Sequence, residues 1–209
     1  NNWKGTPSFE YQHINSQFHI LDRINDVEFS RDFNLAQEFN QITQNRFIFS
    51  FLNQWNNSSF LNYKINYLDE KNSYTGIKND LDFGWIKGKF NTKGNFSYLD
   101  TKAVFQDTKF VRSGIISEYS TKKGSWAIGG SMEHNVKNFN ETNQLDVTSF
   151  SWKEVFIQKK ISDSARTKLL TRMYFRDNDS VRNNSLENMN HILGIMAESQ
   201  IIKTEKTTL

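Results

Sequence analysis

From Phe47 onward, apolar and polar residues trade places one by one. Leu61, Tyr63, Ile65 and Tyr67 alternate with Asn62, Lys64 and Asn66. Ile77, Leu81, Phe83 and Trp85 alternate with Lys78, Asp80, Asp82 and Gly84, and Trp126, Ile128 and Met132 with Ser125, Ala127, Ser131 and Glu133. Successive side chains of an extended chain point to opposite faces, so each run carries one apolar and one polar face. A helix would scatter the same residues around its circumference. Asn56-Asn57-Ser58-Ser59, Asn91-Thr92-Lys93-Gly94 and the segments 106–109 and 121–124 read as short polar turns. Such turns join antiparallel neighbours, whereas parallel strands need long crossovers. The expectation is an all-β antiparallel meander of about nine strands, near 47–55, 60–68, 77–89, 95–105, 110–120, 125–136, 145–158, 167–176 and 189–202.

Two stretches compete with that pattern. Leu186, Met189, Ile192, Leu193 and Met196 recur at helical spacing behind a capping Ser185, although strand is favoured there. Leu35, Phe39 and Ile42 could form one face of a short helix within 34–45. Residues 1–45 read as an irregular N-terminal segment with short alternating pieces around Phe9 to Ile14, Phe18 to Ile24 and Val27 to Leu35, preceding a meander over 46–209. The chain starts at Asn1 and ends without a visible closing element, which favours a fragment of a longer protein.

Strand length narrows the architecture. Most strands run to around ten residues against a usual mode of roughly 5–6, and about 9–11 tilted residues is what a membrane-spanning barrel requires. The reading is a barrel-like sheet or part of a large barrel or extended sheet, with a soluble β-sandwich as the alternative. Aromatics make up 14% of the chain, too many for a disordered tail. Trp55, Tyr67, Trp85, Phe90, Phe96, Tyr119 and Trp126 all fall near inferred strand ends, as interfacial girdles do. They could instead fill a sandwich core or offer a sugar-stacking platform. Glu154, beside Phe150, Trp152 and Phe156, together with Ser113 and Ser117 between Val111 and Ile115, places polarity within apolar faces and counts against a lipid-facing surface.

Composition removes whole classes of function. The net charge is only +3, and the basic doublets Lys122-Lys123 and Lys159-Lys160 sit where turns are expected, so no nucleic-acid surface is indicated. With no cysteine there is no disulfide, thiol nucleophile or thiolate metal site. No apolar run approaches a transmembrane helix, and no signal segment opens the chain. Asparagine occurs 25 times, which makes the sequons at Asn56, Asn57, Asn95, Asn140, Asn178 and Asn183 uninformative.

Nothing in the remaining residues adds up to an enzyme. His13 and His19 could share a strand face and a metal, but Asn15 and Ser16 suggest a turn between them, and His134 and His191 stand apart. Asp80 and Asp82 fall on one polar face at the separation of a glycosidase pair, without a cleft or a third partner. Asp177-Asn178-Asp179-Ser180 resembles the start of a calcium loop, yet Arg182 and Asn188 occupy the glycine and glutamate positions, leaving a solvated turn. Gly129-Gly130 lies inside an alternating strand and marks close packing or a bend. No catalytic, cofactor or metal residue is assigned.

Val27-Glu28-Phe29-Ser30-Arg31-Asp32-Phe33-Asn34-Leu35 is similar to a stretch of large β-rich cell-envelope proteins of Bacteroidota, and Tyr174-Phe175-Arg176-Asp177 with the strand around Ile192 to Ser199 also resembles them. The resemblance implies an exported, outer-membrane-associated β-protein longer than this chain, and carries no functional residue across. The function expected is therefore non-enzymatic, a structural or transport component of an outer-membrane assembly. Asp80, Asp82, Lys64 and Glu133 would line a lumen, while aromatic and aliphatic residues meet lipid or partner envelope proteins. The alternative is a soluble surface module binding glycans or proteins.

Overall fold

The structure, a computed structural model, describes residues 3–15, 43–55, 59–139, 146–163, 167–183 and 185–201. They form ten strands: β1 Trp3–Ile14, β2 Gln44–Trp55, β3 Ser59–Glu70, β4 Tyr74–Lys87, β5 Phe90–Ala103, β6 Gln106–Thr121, β7 Gly124–Phe139, β8 Asp146–Asp163, β9 Thr167–Arg182 and β10 Ser185–Ile201. Every strand pairs antiparallel with its neighbours in sequence, giving one sheet in the order β1 to β10. The sheet is not closed into a barrel, and β1 and β10 are its edges. No second sheet exists among the described residues.

The all-β meander matches the expectation, with differences at the joints. There are ten strands rather than nine, because residues around Phe9 to Ile14 belong to a full-length β1 in register with β2. The strands are longer than expected, 12 to 18 residues. Asn91 to Gly94 and 106–109 are strand, not turn; the chain reverses at 88–89 and 104–105 instead. Gly88 supplies a left-handed φ of 60° there, and Asn72 and Asn183 do the same at their own turns, the conformation that glycine and asparagine tolerate best. Lys122-Lys123 does sit in a turn, whereas Lys159-Lys160 lies inside β8. The helical spacing at 186–196 is overridden: β10 is strand, paired along its length with β9. The helix candidate over 34–45 and the pieces Phe18 to Ile24 and Val27 to Leu35 lie outside the described residues, apart from 43–45, of which 44 and 45 open β2.

Residues opposite one another in an antiparallel pair share a face, so the register carries each face across the sheet. Starting from Leu61, one face takes Phe51, Phe49 and Phe47 in β2, Phe83 and Leu81 in β4, Phe96 in β5, Ile115 in β6, Ile128 in β7 and Ile157 in β8. This is the apolar face. Exposed large hydrophobics lie on it, except for Ile86, Phe150, Ile192 and Met196 on the other face and Val104 and Phe105 in a turn. The opposite, polar face holds all the buried hydrophobics among the described residues: Leu68, Tyr74, Leu99 and Ala127. Three of these, with Ala103 and Phe110 packed against them, form a small apolar cluster at one end of the polar face. Enclosure therefore belongs to the polar face and exposure to the apolar one, the inverse of a water-soluble sheet.

Glycines make the polar face fit. Phe60, Phe156 and Tyr174 stand directly opposite Gly84, Gly129 and Gly194. A Cβ on Gly129 would lie 2.5 Å from the Phe156 ring and 2.7 Å from the Ile115 carbonyl oxygen. Each ring covers the backbone a glycine leaves bare, a device that pins register. The close packing read from Gly129-Gly130 is this contact.

Candidate functional site

The apolar face carries the most organised feature of the molecule. Following the register from Phe49 in β2, the residues level with it are Ile65, Asn79, Tyr98, Val111, His134 and then Ser151 in β8. The apolar residues do not stay on that line. In β2 they are Phe47, Phe49 and Phe51, centred on Phe49. In β4 they are Ile77, Leu81, Phe83 and Trp85, centred on Leu81, two residues beyond Asn79. In β8 they are Val155, Ile157 and Ile161, centred close to Ile157, six residues beyond Ser151. The strip thus drifts by one residue per strand. With about 3.4 Å per residue and about 4.8 Å between strands, it runs at roughly 35° to the hydrogen-bond direction.

The strip has sharp margins. In β4 it spans Ile77 to Trp85, about 27 Å along the strand and about 22 Å when projected through that angle. On one side lie Asp69, Asp100, Lys102, Lys109, Lys153, Asp177 and Asp179; on the other lies Lys87. Among the described residues one charge sits inside it, Lys159, whose ammonium rests 4.6 Å from the Trp126 ring centroid. Two pairs of polar groups within the strip answer each other, while Asn53 Oδ1 is buried without a partner: Tyr63 Oη donates to Asn79 Oδ1 at 2.9 Å, and the Thr92 and Ser117 hydroxyls are 3.1 Å apart. This is the pairing that removal from water demands. Val136, Val181, Leu186 and Met189 are apolar residues beyond the charged margin.

Aromatic rings edge the strip on both sides. Trp55, Trp85, Phe90, Tyr119 and Trp126 share one end, with the Phe90 and Tyr119 rings packed at a tilt, 4.9 Å between centroids. Tyr67 belongs to the other edge, packing on Phe47, which in turn meets Tyr11. There the Tyr11 and Tyr98 hydroxyls donate outward to Asn45 and Asp100, each at 3.1 Å. Phe96, expected at a strand end, is in the middle of β5.

On the polar face the expected Lys64, Asp80, Asp82 and Glu133 all appear together. Lys64 stands opposite Asp80, which accepts from Ser97 Oγ at 2.6 Å and pairs with Lys78 at 3.5 Å. The expectation for Glu154 fails here. The register places it in the row of Asn62, Asp82, Asn95, Gly114 and Ser131, on the polar face. It is 5% exposed and gripped by two arginines, Arg176 at 2.6 Å and Arg172 on its other oxygen. Those guanidiniums lie over Phe156 (3.7 Å), Trp152 and Tyr174 (5.6 Å each). Glu133 joins in, pairing with Arg112 at 3.0 Å and accepting from Trp152 Nε1 at 3.3 Å. The aromatics around Glu154 are thus the stacking partners of its arginines. Arg112, Arg172 and Arg176 were not singled out by sequence; the alternation Arg172-Tyr174-Arg176 opposite Trp152-Glu154-Phe156 is the signal for them. Ser113 and Ser117 do lie on the apolar face, as expected.

The other sequence candidates separate. His13 Nδ1 is 2.7 Å from Asn45 Oδ1, and His19 lies outside the described residues. His191 Nδ1 pairs with Asp177 at 2.9 Å, and His134 is on β7. Asp177 to Ser180 are strand, not a turn, so alternate side chains leave on opposite faces and cannot wrap one cation. Among the described residues no three potential ligands cluster, and no helix is long and apolar enough to cross a membrane, which says nothing of strands.

Comparisons with known proteins found no similarity: no family model matches the chain, and no curated protein or solved structure is significantly similar to it.

Proposed function

We propose that this chain is a membrane-spanning β-sheet of the bacterial cell envelope, a non-enzymatic structural or transport component of an outer-membrane assembly. The observation that carries the reading is the oblique apolar strip. A sheet whose strands tilt by about 35–45° from the membrane normal meets the bilayer as a band about 25 Å tall, drifting along successive strands. The strip's angle and height agree with both values, and a sandwich core gives no reason for charge to respect such a diagonal. The aromatic edges correspond to interfacial girdles, and Lys159 keeps its charge on an indole while its stem follows apolar surface. The polar face, with its Arg–Glu–Trp network, then looks into an aqueous interior. Open edges in hydrocarbon would leave backbone groups unsatisfied, so on this reading β1 and β10 are met by further strands of the assembly. The resemblance at Tyr174 to Asp177 points to the same class of protein; that at Val27 to Leu35 falls outside the described residues.

The test is detergent dependence of the natively purified protein, followed by gel migration with and without boiling. The expected result is retention in the membrane fraction through carbonate and high-salt washes, with unboiled protein migrating differently. A monodisperse protein in plain buffer would end the membrane reading and leave a soluble module that binds proteins or glycans.

A further inference from the structure

Resting on that reading, we infer that the tryptophan-edged end of the sheet docks onto the headgroups of anionic phospholipids. The turns at the two ends differ in charge. At this end the turns at 88–89 and 122–123, with the strand residue beside them, present Lys87, Lys89, Lys122 and Lys123, all exposed and with no ion pair among the described residues. The opposite end mixes signs, with Asp69, Glu70 and Asp107 beside Lys71 and Lys102.

The turns that carry the lysines are held in place. Ser120 N–H donates to the Lys89 carbonyl at 2.8 Å, tying the first turn to β6, and Thr121 Oγ1 closes the second by donating to the Gly124 carbonyl at 2.8 Å. They stand just beyond the Trp85, Phe90, Tyr119 and Trp126 edge, where a ring at headgroup depth puts the next turn among the phosphates. Basic residues at a membrane surface add attraction for anionic lipid that salt screens. An acidic protein partner would also suit lone lysines. The continuity of the lysines with the aromatic edge of the strip favours lipid, since a protein patch has no need to follow that edge.

The experiment uses the natively purified assembly, diluted from detergent into vesicles of phosphatidylcholine alone or mixed with phosphatidylglycerol, at low and high salt, read by flotation. The expected wild-type result is incorporation into both, faster and at least about tenfold more complete with phosphatidylglycerol at low salt, the excess vanishing at high salt. The variant K87Q/K89Q/K122Q/K123Q should lose that excess while still entering phosphatidylcholine with the same heat-sensitive migration, which shows it folded. K71Q/K102Q, at the opposite end, should keep it. Equal incorporation of wild type into both vesicles, or an excess surviving in the quadruple variant, overturns the inference and leaves the membrane reading intact. Flotation with neither vesicle overturns both.

Discussion

Two parts of the polar face hold themselves together by opposite means. At one end, Leu68, Tyr74 and Leu99 pack into a cluster of buried apolar side chains, with Leu68 fully inaccessible. In the middle of β6 to β9, a carboxylate equally shut from solvent is held by two guanidiniums stacked on aromatic rings. The first is tolerant: hydrophobic contacts are non-directional, and a smaller side chain loses contact in proportion to its size. The second is exacting, because a buried charge survives only while every partner is present. One sheet face thus carries both a cushion and a lock.

The largest effect should come from breaking the lock. Glu154→Ala leaves Arg172 and Arg176 facing each other uncompensated and should cost about 3–5 kcal/mol, measured by urea unfolding of the natively purified protein in detergent. The triple variant E154L/R172M/R176L should recover most of that loss, since well-packed apolar groups often replace a buried ion cluster without penalty. A triple variant as unstable as the single one would mean that the network does more than neutralise charge. In the cushion, Leu68→Ala should cost about 2–5 kcal/mol by cavity formation, the lower part of that range applying if Ala103 and Phe110 close in. The stability of the conservative variant Leu68→Met, lowered by less than about 1.5 kcal/mol, would separate size from shape.

Smaller effects test the boundaries between the regions. Gly129→Val would drive a branched side chain into the Phe156 ring and the Ile115 carbonyl, costing about 1–3 kcal/mol. Adding Phe156→Ala should return only part of it, because the carbonyl cannot move aside. Arg112→Ala should change stability by less than about 1 kcal/mol, since that side chain is 54% exposed and solvent screens its pair with Glu133. A loss as large as that of Glu154→Ala would show that the ion pairs of β6 to β9 form one cooperative unit.

Much of this was open to sequence reasoning, and what was not has a physical cause. Period two at Leu61 to Tyr67 and Ile77 to Trp85 sufficed for strands, since no other backbone keeps that alternation. Turn positions were harder. Asn91 to Gly94 has turn composition but pairs on both sides, the reversal falling just before it at 88–89, and the reversal expected at 106–109 is made by two apolar residues, Val104 and Phe105. The same holds at Asp177 to Ser180, where pairing to β8 and β10 outweighs the local preference of Asp and Asn for turns. Glu154 was misplaced for a deeper reason. Periodicity says which residues share a face but not which face it is, and β8 carries rings on the polar side because arginines stack on them. Only its register against β7 and β9 decides. The oblique strip belongs to no single strand, so it emerges only once all ten are aligned.

That obliquity limits how such a sheet can have grown. With a drift of one residue per strand, adding or deleting a single strand reverses chain direction and puts the next apolar run out of step with the pleat. A hairpin shifts the run by two residues, one full pleat, and restores direction. The hairpin is therefore the smallest unit that this architecture can duplicate, lose or accept from a relative, and chimaeras cut within one should fail where those cut between hairpins fold.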